Sequence, residues 1–132
     1  MSEENAEVIV ELARLFEAAD WDGVGAHFTE DAELHPLAGW PEPGPHHGRA
    51  AIVREWQRIT QTWETNEVVI GDHTARDDRV VVGIRWIVKG AGSGVPTETT
   101  FYVATRFEDG QIAEWRAFWN EAEALEAAGL SE

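Results

Sequence analysis

From Glu3 to Ala19 apolar side chains recur at steps of three and four, with Ile9, Leu12, Phe16 and Ala19 in line and Val8 and Leu15 widening the stripe. That spacing predicts an amphipathic helix, and the acids crowded into its first turn suit the positive end of a helix dipole. The same period returns briefly after Asp20 at Trp21, Val24 and Phe28, broken by Gly23 and Gly25, so a second, short helix is expected to end near Thr29. Ala32 to His35 then reads as extended. Between Pro36 and His47 stand four of the five prolines, Pro36, Pro41, Pro43 and Pro45. Proline neither continues a helix nor donates to a ladder, which makes this stretch a stiff loop. Gly48 opens a third helix in which Ile52, Trp56, Ile59 and Trp63 fall on one buried face, leaving Arg54, Gln57, Arg58 and Gln61 outside.

The period then changes from helical to alternating. Glu67–Thr74, Arg79–Lys89, Thr97–Glu108 and Gln111–Trp119 are rich in β-branched and aromatic residues and read as strands. Asp77-Asp78, the stretch from Gly90 to Pro96 and Asp109-Gly110 separate them as turns, which implies antiparallel pairing. Asn120 is placed to cap a last short helix through Ala128, closed by Gly129. Helices at the front must pack on the sheet built from the back, so the fold class is α+β. Alternation puts Val80, Val82, Ile84, Trp86 and Val88 on the face toward the helices, with Phe101, Val103, Phe107, Trp115 and Trp119 from the next strands. A bent sheet of this kind encloses a largely apolar hollow. Its other face keeps Val81, Ile87, Tyr102 and Phe118 among Arg85, Arg106 and Arg116, more apolar than water requires, and suggests a homodimer through that outer face.

Length and charge narrow the possibilities. A chain of 132 residues favours one domain spanning 1–132 and is long enough for a core without a disulfide or structural metal. There is no cysteine, which removes thiol chemistry and fits a reducing, cytoplasmic setting, and the acidic start lacks the pattern of a secretory signal. The formal net charge of −15 argues against nucleic acid and anionic membranes as partners. Residues 1–33 carry ten acids and one base, so much of the excess forms a solvated face at one end of the chain. His46 and His47 are adjacent in the proline-rich loop, without the spacing of a histidine metal motif, so neither a metal nor any other cofactor is expected. The seven tryptophans exceed what a small core normally buries. An aromatic pocket for a small apolar or aromatic molecule accounts for them better than a filled core.

The order helix, short helix, strand, proline-rich loop, helix and four antiparallel strands resembles the NTF2-like superfamily, and within it the SnoaL-like and ketosteroid-isomerase-like proteins. The likeness is carried by Asp20-Trp21-Asp22-Gly23, by Phe28 through Pro36, by Gly48-Arg49-Ala50-Ala51-Ile52, by Phe107 through Ile112 and by the tail from Glu121 to Leu130. It implies a cone-shaped barrel in which three N-terminal helices pack on a strongly bent, mainly antiparallel sheet around a hydrophobic pocket. In ketosteroid isomerases an aspartate before a proline moves the proton, and the matching dipeptide here is His35-Pro36. The resemblance thus implies His35 as general base of a cofactor-independent isomerase, cyclase or dehydratase, an imidazole being able to take a proton near neutral pH. The isomerase's oxyanion positions correspond to Leu12 and Val103, the epoxide hydrolases' W-R-D segment to Trp115-Arg116-Ala117, and an aspartate common in the cyclases to Asn120. The expected lining is Phe16, Phe28, Trp40, Trp56, Trp86, Val103, Trp119 and Asn120. With the electrophilic partners absent, a non-catalytic ligand-binding module and a dimeric interaction protein stand as alternatives.

Overall fold

A computed structural model of the chain describes residues 2–40, 42, 44–90, 92 and 94–130. Helix α1 spans Ser2–Glu17 and α2 spans Trp21–Ala26, followed by strand β1 (Phe28–His35), a two-residue strand β2 (His46–His47) and helix α3 (Arg49–Gln61). Strands β3 (Thr65–Arg76), β4 (Arg79–Lys89), β5 (Pro96–Glu108) and β6 (Gln111–Phe118) come next, and helix α4 (Glu121–Ala128) follows them. Most elements follow the periodicity, but Phe28 and Thr29, expected at the end of the short helix, open β1, and His46–His47, expected in the loop, pair as β2. Trp63 is the exception in α3, lying past the helix end and only half-buried.

One sheet holds all six strands in the order β2-β1-β6-β5-β4-β3. The hairpins are antiparallel, but β1 lies parallel to β6, with Leu34 opposite Trp115 and His35 opposite Arg116. The β5–β6 turn has both residues at positive φ, Asp109 at 51° and Gly110 at 83°, as a two-residue turn compatible with strand twist demands. A register shift between Ile70 and His73 bulges β3 and adds to the curl of the sheet. There the backbones crowd: a Cβ on Gly71 would stand 3.3 Å from the carbonyl oxygen of Gly83, so the absence of a side chain permits the approach.

The helices α1 to α3 fill the concave face. Ile9, Leu12, Val24, Phe28, Ile52, Val80, Val103 and Ile112 form the fully buried heart of the core. Two polar anchors fix the seam between the helices and the sheet. Arg49 donates from Nε and Nη2 to the Phe28 carbonyl at 3.1 and 2.8 Å, and the Gln111 amide donates to the Ala26 carbonyl at 2.9 Å.

The convex face is covered by the chain itself. Helix α4, capped by the Asn120 side chain accepting from the Glu123 N–H at 2.9 Å and ended by Gly129 at φ 73°, lays Ala124 and Ala128 on Val81 and Ala104. Tyr102, Phe118, Leu125 and Leu130 close around that contact. Three of the apolar residues that suggested a dimer face, Val81, Tyr102 and Phe118, are therefore accounted for within the chain, because a short Ala-rich helix can approach the sheet closely. Among the described residues no helix is long and apolar enough to cross a membrane.

Candidate functional site

Between α1, α3 and the concave face the packing leaves a chamber of about 130 Å³. Helix α1 contributes Ile9, Leu12, Ala13 and Phe16, and α3 contributes Glu55, Trp56 and Ile59 at helical spacing. The sheet supplies Leu34, Val68, Ile70, Ile84, Trp86, Thr99, Phe101, Trp115 and Ala117, every one from the inward set of its strand, while Pro36, Leu37 and Trp40 enter from the loop after β1. Aromatic rings form the walls. Trp56 meets Phe16, Phe28 and Trp115 edge-on at 5.8, 5.5 and 5.0 Å between centroids, and Trp40 and Trp86 stand together at 6.3 Å. Those edge-to-face contacts place positive ring edges against negative faces and hold the indoles in fixed orientations.

The indole N–H groups of two of these rings are occupied. Trp86 donates its Nε1–H to Asn66 Oδ1 at 3.2 Å, and Trp40 donates to Glu55 Oε2 at 3.2 Å. Glu55 is the chamber's carboxylate and only 7 % exposed. Arg58, one turn further on α3, donates to it twice, Nε to Oε1 at 3.1 Å and Nη2 to Oε2 at 2.7 Å. Burial pushes the Glu55 carboxyl up, but the hydrogen bonds from Arg58 and Trp40 and the charges of Arg58 and His46 outweigh it, so the group lies below the ordinary carboxylate range. It is ionised at neutral pH. A carboxylate has about four lone-pair directions, and three are taken, which leaves roughly one for a donor inside the chamber. Thr99 adds a hydroxyl to the lining.

Of the expected lining residues, Phe16, Trp40, Trp56 and Trp86 face the chamber. The others do not. Phe28 and Val103 are fully buried in the core behind it, where ring and methyl contacts leave no free surface. Trp119 is half-exposed and donates to the Ala38 carbonyl at 3.0 Å, and Asn120 is used as the cap of α4.

His35 needs a correction. Leu34 and Pro36 line the chamber, whereas His35 lies on the opposite face of β1 with its Nε2 3.0 Å from Glu33 Oε1. Side chains alternate along a strand, so the buried set Phe28, Ala32 and Leu34 excludes it. Trp115 was expected to line or cap the hollow and does, whereas Glu55, Thr99 and Phe101 are among the lining residues that the sequence did not single out. For Thr99 and Phe101 the signal was the alternation already read from β5. For Glu55 it was an acid at the position directly before Trp56, on the side of the helix where Ile52 and Ile59 also turn inward.

The SnoaL-like domain model matches residues 9–115. The chain belongs to the SnoaL-like domain family. This SnoaL-like protein has the NTF2-like fold, and solved structures share it at low identity. Bal32a from a soil-derived mobile gene cassette is 22% identical, with a TM-score of 0.79 and 96% of each chain covered. TerC, co-crystallised with polyporic acid, is 19% identical with a TM-score of 0.75, covering 96% of this chain and 98% of that one. An LEH-like epoxide hydrolase from M. tuberculosis is 16% identical with a TM-score of 0.74, covering 90% of this chain and 80% of the other. At these identities the likeness is one of fold. No curated protein matches the chain.

Proposed function

We propose that this SnoaL-like protein binds a small apolar or aromatic molecule in the chamber between α1, α3 and the sheet, and that its walls serve binding, with His35 taking no part. The observation that carries this reading is the lining: four indoles and two phenyl rings around a space that offers one ionised carboxylate and one hydroxyl. Desolvating an aromatic ring against such walls is favourable at roughly 25 cal/mol per Å² of apolar area removed from water. The volume of about 130 Å³ is close to that of an engineered apolar cavity of about 150 Å³ that admits benzene, so the buried part of the ligand is about one ring in size. The remaining lone-pair direction of Glu55 favours a ring that bears a hydroxyl or N–H. Glu55 itself is a weak base, since its proton affinity is lowered by Arg58 and Trp40. TerC's polyporic acid and the epoxide hydrolase's activity support small-molecule use of this fold.

Titration of the tryptophan fluorescence with phenol and with toluene tests the reading. Saturable changes are expected for both, with phenol tighter by about fivefold or more if one net hydrogen bond to a charged group is gained. The preference for phenol should vanish in Glu55→Gln while toluene binding stays within a few fold, and His35→Ala should leave both titrations unchanged. Absence of saturation with either compound, or a His35→Ala variant that no longer binds, refutes the proposal.

A further inference from the structure

On the face of the sheet opposite the chamber, two histidines and two glutamates come together from three strands. Glu33 and His35 are two apart on β1 and share a face. Antiparallel pairing sets His47 of β2 opposite Glu33, and parallel pairing sets Glu114 of β6 opposite Glu33 from the other side. Glu33 directs one oxygen to each imidazole, Oε1 3.0 Å from His35 Nε2 and Oε2 3.4 Å from His47 Nδ1. One donor atom each from Glu33, His35 and Glu114 lie within 4.8 Å of one another. Among the described residues the Glu114 carboxylate has no hydrogen bond or ion pair of its own. Arg106, across β5–β6 from Glu114, acts on it through its charge but spends its hydrogen bond on Glu108 at 2.6 Å, and Arg116 lies over the Phe118 ring at 5.6 Å.

We propose that Glu33, His35, His47 and Glu114 form a binding site for a divalent transition metal of the zinc type. Ligands at 2.0–2.2 Å in a tetrahedron stand about 3.3–3.6 Å apart; the donor atoms of Glu33, His35 and Glu114 lie within 4.8 Å of one another, and His47, 3.4 Å from the second oxygen of Glu33, joins them through a rotamer change. Two imidazole nitrogens and two carboxylates select zinc, copper or nickel over calcium and magnesium, which take oxygen ligands. The charge balance agrees, since two carboxylates match a dication. The net charge of −15 also raises the local concentration of cations. A metal held there ties the two ends of the loop that carries Leu37 and Trp40, since His35 precedes that loop and His47 closes it. The ligands lie far apart in sequence, and only strand pairing makes them neighbours.

The test is calorimetric titration of the tag-free full chain with Zn²⁺ at pH 7.5, with Ca²⁺ as comparison. One saturable Zn²⁺ equivalent is expected, weakening by at least about tenfold in His35→Ala and in Glu33→Gln. His73→Gln, which alters a separate histidine paired with Glu3, should leave Zn²⁺ binding unchanged. Circular dichroism of each variant checks that it is folded, and Glu114→Gln supplies a second ligand deletion if Glu33→Gln is not. No saturable binding, equal affinity for Ca²⁺, or binding indifferent to His35 and Glu33 overturns the proposal. Phenol and toluene binding is measured separately and does not bear on it.

Discussion

Removing the ring of Phe28 should be the most costly single truncation near the chamber. Phe28 is fully buried and packs on Trp56 at 5.5 Å and Trp115 at 6.4 Å, two indoles that also wall the chamber. Its backbone is pinned, because its carbonyl accepts from both Nε and Nη2 of Arg49. The surroundings therefore have little freedom to collapse into the void left by Phe28→Ala, and the loss belongs at the upper part of the usual ~3–5 kcal/mol for such a change. Set against a total stability of about 5–15 kcal/mol, that is a large fraction. For a chain of this length it corresponds to a Tm drop of about 10–20 °C. Thermal unfolding followed by circular dichroism measures it directly. The void lies behind the two indoles, so saturating toluene should restore part of the lost Tm in Phe28→Ala and raise it more than in the wild type, by preferential binding to the folded state. A drop of less than about 3 °C, or a variant that gains no more from toluene than the wild type, would refute the argument that Phe28 is a rigidly held backing to the chamber.

Further outcomes follow from the same geometry. Because the folded-state pKa of Glu55 is lowered, its ionised form contributes stability that is complete above the unfolded value of about 4.3 and is lost as the pH falls through the lower folded value. Urea midpoints should thus separate wild type from Glu55→Gln at pH 7 and converge toward pH 3, and a gap independent of pH would count against an ionised Glu55. Asn120→Ala should cost about 1 kcal/mol by removing the α4 cap, read as a lower urea midpoint with unchanged slope. Ala124→Asp should detach α4, since a carboxylate at that fully buried position has only Val81, Ala104 and other apolar groups around it. Faster hydrogen exchange in α4 and self-association through the uncovered face are expected, and a monomer with α4 still protected would show that the helix is not held by this contact.

The sequence by itself determined the elements and the inward face of each strand, because periods of 3.6 and 2 are properties of the backbone that any amphipathic segment must display. It also contained the correct orientation of His35: Ala32 and Leu34 alternate inward, and the residue after Leu34 must point the other way. The likeness of His35-Pro36 to the isomerase's aspartate-proline step points inward instead, and the structure follows the alternation. The role of Glu55 was less legible, since an acid beside a buried tryptophan on a helix is ordinarily solvated, and only the arrival of Trp40 from the proline-rich loop makes it a buried acceptor. Tertiary structure alone decided three further matters. It folded α4 onto the convex face, it left the chamber open in front of Trp56 and Trp115, and it laid β1 parallel to β6 so that Glu33, His35 and Glu114 meet across about 80 residues of chain. Local periodicity carries no information about which distant strand will supply the neighbour, because that choice is made by how the whole sheet closes over its helices.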